Sequence, residues 1–154
     1  MIILSNSSIH AVANPEGGAW VEQLTAGQSA VFFPKTTLLS ENGEEKARGG
    51  MHVCLPNFGP GGESGLPQHG FGRTEAWIVG NTTNNSVELS LLGGSTHYAQ
   101  LASTLRYLLE ENSFVAVLTV TNNGAKPLRI APAFHPYFAI DDGETTVKIN
   151  GTTY

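Results

Sequence analysis

Positive charge is scarce in this chain: eight Lys and Arg stand against thirteen Asp and Glu in 154 residues, for a formal net charge of -5. So few cations leave no basic stripe able to displace counterions from a nucleic-acid backbone, which argues against a nucleic-acid partner. Cysteine is nearly absent, with Cys54 the single one. An internal disulfide framework is thereby excluded, and a reducing, cytoplasmic setting is the expectation. Long apolar runs are missing too. The opening "MIIL" has no basic flank and no extended apolar stretch of the secretory kind, and nothing later approaches the roughly 18 apolar residues of a membrane span. No membrane partner is therefore expected. Charged residues make up 14% and hydrophobic residues 40%, enough in a chain of this length to close one real core as a single globular domain.

What is present is a series of short, turn-bounded apolar runs. "IHAVA", "AWVEQL" and "SAVFF" are separated by Asn14-Pro15-Glu16-Gly17-Gly18 and by Thr25-Ala26-Gly27, which reads as a strand meander. "AWIVGN" and "VELSLL" continue the series. In "STLRYLLEENSFVAVLTVTNNG", Leu105, Tyr107 and Leu109 alternate with Thr104, Arg106 and Glu110, and a second run through Val115, Val117 and Thr119 begins after Glu111-Asn112-Ser113. This spacing predicts a hairpin. A helix over 101–109 competes, because Leu101, Leu105, Leu108 and Leu109 also fit a helical spacing, and the β-rich surroundings favour the strand. "KPLRIAPAFHPYFAI" closes the series, with Pro132 and Pro136 requiring an edge, a bulge or a break. The fold class expected is all-β, an antiparallel β-sandwich with its function on loops or on a sheet face.

Against that regular background, residues 48–73 stand out: "RGGMHVCLPNFGPGGESGLPQHGFGR" holds eight glycines and three prolines. Ordering so much loop is entropically costly unless the geometry is used. The segment is expected to lie as ordered loop over one sheet face. His69 and His135 both sit among stiff or aromatic neighbours, and an imidazole gives or takes a proton near neutral pH. Arg48 precedes Gly49-Gly50, whose amides suggest an anion contact, and Arg73 lies four residues past His69. Either arginine suits a carboxylate, a phosphate or a sugar hydroxyl, although most arginines serve as surface ion-pair partners. "GPGGESG" lacks the Gly-Lys-Ser/Thr ending of a phosphate loop. His52, Cys54 and His69 match no zinc spacing, so no metal or cofactor is assigned, and Cys54 without a partner base reads as a buried thiol.

Taken in order, "RGGMHVCLPNFG", "LPQHGFGRTEAW" and "VTNNGAKPLRIAPAFHPYFAI" resemble the aldose 1-epimerases, or mutarotases, most closely their hexose-6-phosphate branch. The resemblance spans roughly residues 17–142 and implies a β-supersandwich with a sugar or sugar phosphate as its small-molecule partner. It implies His135 as the acid serving the ring oxygen, His69 as a hydrogen-bonding group on the sugar, and Arg48 and Arg73 as substrate contacts. It also implies a glutamate base and a sugar-binding aspartate from a C-terminal half. Glu63, Glu75, Glu110, Glu111 and Glu144 do not match the motif of that base, so residues 1–154 read as one mutarotase-like domain lacking its C-terminal half. A sheet cut in this way is expected to self-associate or to dock its missing portion. The competing reading is a carbohydrate-binding β-sandwich without catalysis.

Overall fold

The computed structural model describes residues 1–62, 65–94, 96–140, 146 and 148–153. Glu63 and Glu144 lie outside them. The described elements are strands and one 3₁₀ turn at Thr96–Tyr98. Strands β1 (Ile2–Ser5), β2 (Ile9–Asn14), β3 (Trp20–Ala26) and β4 (Ser29–Ala30) form the expected meander. β3 then pairs with β7 (Met51–Cys54), and β7 with β12 (Ala133–Pro136), completing a six-stranded sheet. The second sheet has four strands in the order β11 (Phe114–Asn122), β10 (Leu101–Leu109), β9 (Ser86–Leu92), β8 (Ile78–Thr82). Two small hairpins complete the architecture: β5 (Thr36–Leu39) with β6 (Glu45–Arg48), and β13 (Lys148–Ile149) with β14 (Thr152–Thr153). The pairs between these described strands are antiparallel.

Alternation along each strand builds the core between the sheets. Ile9, Ala11 and Ala13 of β2 are buried, as are Leu101, Ser103, Leu105, Tyr107 and Leu109 of β10. This period of two confirms strand over helix for residues 101–109. Tyr107 also ties the two layers together, since its hydroxyl donates to the Ala19 carbonyl at 2.7 Å. On β11 the residues packed against the core are Phe114, Ala116, Leu118 and Val120, while Val117 of the run expected from the sequence is turned out and exposed.

One expectation requires correction. Residues 48–73 are not loop throughout, because β7 is an interior strand of the six-stranded sheet, buried on both faces. A strand covered on both sides loses the polar alternation that would have revealed it. The strand read in "KPLRIAPAFHPYFAI" is correspondingly short. Pro136 ends β12 at the edge of the sheet, where its missing N–H costs no interior ladder bond. Beside that edge, between β12 and β11, the sandwich gapes into an apolar groove of about 350 Å³ lined by Leu24, Phe32, Phe114, Phe134 and Phe138 among others.

Candidate active site

The pairing of β7 with β12 sets the geometry of the site, because its register places His135 directly opposite His52. Directly paired residues project from the same face of a sheet, and the two imidazoles stack with centroids 4.7 Å apart at 11°. His69 arrives from a turn. Leu55, just past β7, donates its N–H to the His69 carbonyl, and the Gly72 N–H donates back to the Leu55 carbonyl at 2.9 Å. Gly70 makes this approach possible: it sits at φ +69°, and a Cβ there would lie 2.2 Å from the Leu55 oxygen. The folded turn sets the His69 ring edge-on to both partners, 5.1 Å from His135 and 5.6 Å from His52. Residues 66 positions apart in the sequence thus meet, as their assignment to one site requires.

Hydrogen bonding fixes the protonation of His69. Its backbone N–H donates to the Gly59 carbonyl at 2.7 Å, and the Gly59 N–H donates to Nδ1 of its ring at 3.1 Å. An imidazole nitrogen that accepts carries no proton, so the neutral ring holds its hydrogen on Nε2 and offers a donor there. Burial, the neighbouring His135 and Arg73 all pull the His69 pKa below its ordinary value, keeping the ring neutral at pH 7. His135 buries its Nδ1 with no protein partner among the described residues. Around the two rings stand Tyr137, 4.9 Å from His135, and Phe58, 5.2 Å from His69 and 5.9 Å from His135.

His52 was visible in the sequence only as a candidate metal ligand, and its place in this cluster was missed. It is 1% exposed, and neither ring nitrogen has a hydrogen-bond partner among the described residues. Burial first, then the charges of Arg73, His135, His69 and Lys35, push its pKa down to about 3. His52 is thus a neutral flat spacer between His135 and Trp20, whose ring lies 4.5 Å away. Its one sequence signal was the i, i+2 relation to Cys54, which says nothing of a partner 83 residues on. Cys54 itself is buried, with its thiol pKa raised by burial to about 11, so it is no thiolate nucleophile.

The arginines also converge. Arg48, at the end of β6, and Arg73, past the His69 turn, line one cleft of about 400 Å³ together with Lys46, Gln68, Gly70 and Thr74. Arg73 lies over the face of Trp20, its guanidinium carbon 5.5 Å from the ring centroid. Arg48 donates to the Ala47 carbonyl at 2.9 Å. The expected anion contact from Gly49-Gly50 fails in part, since the Gly50 N–H is already engaged with the Phe33 carbonyl at 2.6 Å. Three cations line the cleft, Lys46 among them paired with Glu44 at 3.3 Å, and Glu45 stands on its wall.

A profile of the aldose 1-epimerase family matches residues 42–154, the stretch that carries every residue of this cluster and cleft except Trp20. The chain belongs to the aldose 1-epimerase family. A protein from Salmonella typhimurium named "Putative glucose-6-phosphate 1-epimerase" is 26% identical over 98% of this chain and 52% of its own length. One of the same name from Escherichia coli is 32% identical over 51% of this chain and 26% of its own length. The chain thus spans about half, or less, of the curated relatives it matches. Solved structures agree on the fold. A galactose mutarotase-like protein from Lactobacillus casei superimposes with a TM-score of 0.72 at 19% identity, covering 92% of this chain and 50% of that one. A galactose mutarotase related enzyme from Lactobacillus acidophilus gives 0.74 at 20% identity over 94% and 51%. This member of the family therefore has the mutarotase-like β-sandwich expected from its sequence. Among its described residues no helix is long and apolar enough to cross a membrane.

Proposed function

We propose that this chain supplies the acid and the phosphate-binding side of a site that interconverts the α and β anomers of a hexose 6-phosphate. The observation that carries the reading is the meeting of His69 and His135, 5.1 Å apart, next to a turn whose other side lines a cleft with Lys46, Arg48 and Arg73. Opening the pyranose ring takes a proton from the C1 hydroxyl and delivers one to the ring oxygen as the bond from C1 to that oxygen breaks. Rotation of the aldehyde and the reverse transfers close the other anomer. His135 delivers the proton to the ring oxygen, and His69 donates its Nε2–H to a neighbouring sugar oxygen and steadies the developing charge. Arg48 and Arg73 take the phosphate in forked contacts. The base that receives the C1 hydroxyl proton is not assigned to a residue of this chain; among the described residues no carboxylate forms an ion pair with His69 or His135.

The second reading is a carbohydrate-binding sandwich without turnover. Exchange between the anomeric proton signals of glucose 6-phosphate, followed by NMR, separates the two. Acceleration by the chain that His135→Asn abolishes, while binding persists, supports the epimerase site. Binding without acceleration, both by the chain alone and when a C-terminal half of the family is supplied to it, leaves the non-catalytic domain.

A further inference from the structure

Phe58 has no role in the proton transfers or the phosphate contacts described above. It is nevertheless 55% exposed, at a place where its ring touches both His69 and His135. Its loop is held on every side. The Phe58 N–H donates to the Ala131 carbonyl at 2.7 Å, and Asn57 donates its side-chain amide to the carbonyls of Gly59 and Pro60. Gly59 exchanges two hydrogen bonds with His69. A half-exposed phenyl on a rigid loop keeps apolar surface in water without gaining a core contact for it, whereas the same surface becomes favourable once an apolar face covers it. A hexopyranose has such a face. Its hydroxyls spread around the ring edge while several C–H bonds point together from one side, so one aromatic ring and two imidazole nitrogens match its flat side and its rim.

We infer that Phe58 is a sugar-stacking residue: it packs against the C–H face of the pyranose while His69 and His135 address the oxygens at its edge. This assignment rests on the proposed hexose-phosphate site and extends it. The guanidinium cleft recognises the phosphate, and Phe58 recognises the ring, so a ligand with only one of these parts gains only one set of contacts. A pyranose seated on the phenyl presents its ring oxygen alongside His135 in a fixed orientation, which is the arrangement that proton delivery requires.

Titrations of the full chain with glucose 6-phosphate, and in parallel with inorganic phosphate, test this by NMR of the sugar ring protons. Stacking on a phenyl face moves those protons upfield. In the wild type we expect an upfield displacement on binding. In Phe58→Leu, which keeps bulk but not flatness, the displacement disappears and hexose-phosphate affinity falls about five- to twentyfold. Phe58→Trp retains both. Inorganic phosphate, which has no ring, binds all three proteins alike and shows that the leucine variant is folded. Binding of glucose 6-phosphate without any upfield displacement, or with equal affinity in Phe58→Leu, overturns the assignment of Phe58 alone. Failure of the wild type to bind glucose 6-phosphate overturns the underlying site and this inference with it.

Discussion

Replacing Arg73 with alanine tests the phosphate-binding side of the site most directly, because Arg73 acts there in two separable ways. It lines the cleft shared with Arg48 and Lys46, where a hydrogen bond to a charged group contributes about 1.5–3 kcal/mol. Its loss should weaken glucose 6-phosphate binding by about 10- to 150-fold and weaken free glucose by no more than about threefold. The fold should survive: Trp20, on which Arg73 rests, keeps its indole N–H bond to the Gly49 carbonyl at 3.0 Å and its contact with Lys35 at 4.6 Å. Only the cation–π contact goes, worth about 0.5–1 kcal/mol. Arg73 also helps to depress the His69 pKa, after burial and His135. The His69 ring in the variant should therefore protonate at higher pH than in the wild type. Arg48→Ala should weaken phosphosugar binding without moving His69, since Arg48 is not among the groups acting on that ring. Calorimetric titration with both sugars and an NMR pH titration of the histidine ring protons supply the readouts. Equal losses for phosphorylated and free hexose, or an unmoved His69, would refute the geometry of this cleft.

Stability should fall on acidification. His52 and His69 both have folded-state pKa values below the unfolded value near 6.5. The unfolded chain therefore binds the extra protons, and stability present above about pH 6.5 declines as pH drops through it, by up to about 1.4 kcal/mol per pH unit for each group. Denaturant melts between pH 7.5 and 5 measure the slope, and a flat profile contradicts the burial of these rings. Tyr107→Phe removes the hydroxyl bond to the Ala19 carbonyl and leaves that carbonyl buried without its donor. It should cost about 1–3 kcal/mol and lower Tm by roughly 2–4 °C for each of them, read by calorimetry. The apolar groove beside β11 and β12 exposes unpaired strand edges, so the isolated chain should self-associate as its concentration rises. Light scattering that reports a stable monomer up to high concentration rules this out.

Local pattern settled the all-β class of this family member and its longest hairpin. The alternation in residues 101–109, the turn at Glu111-Asn112-Ser113 and the proline-marked end at Pro136 are short-range signals, and each came through in the structure. The ordered motifs around Arg48, His69, Arg73 and His135 likewise pointed to the candidate site and the family. Tertiary structure decided the rest. β7 lay hidden in a glycine-rich stretch because an interior strand buried on both faces needs no polar alternation. His52 could not be seen as part of the site because the sheet register, not the sequence, sets it opposite His135. The same holds for the two arginines. A hairpin and a turn distant in sequence bring them to one cleft, and that approach depends on Gly70 letting the turn lie against Leu55. Sequence fixes what a residue can do within a few positions of itself, while long-range pairing determines which residues it does it with.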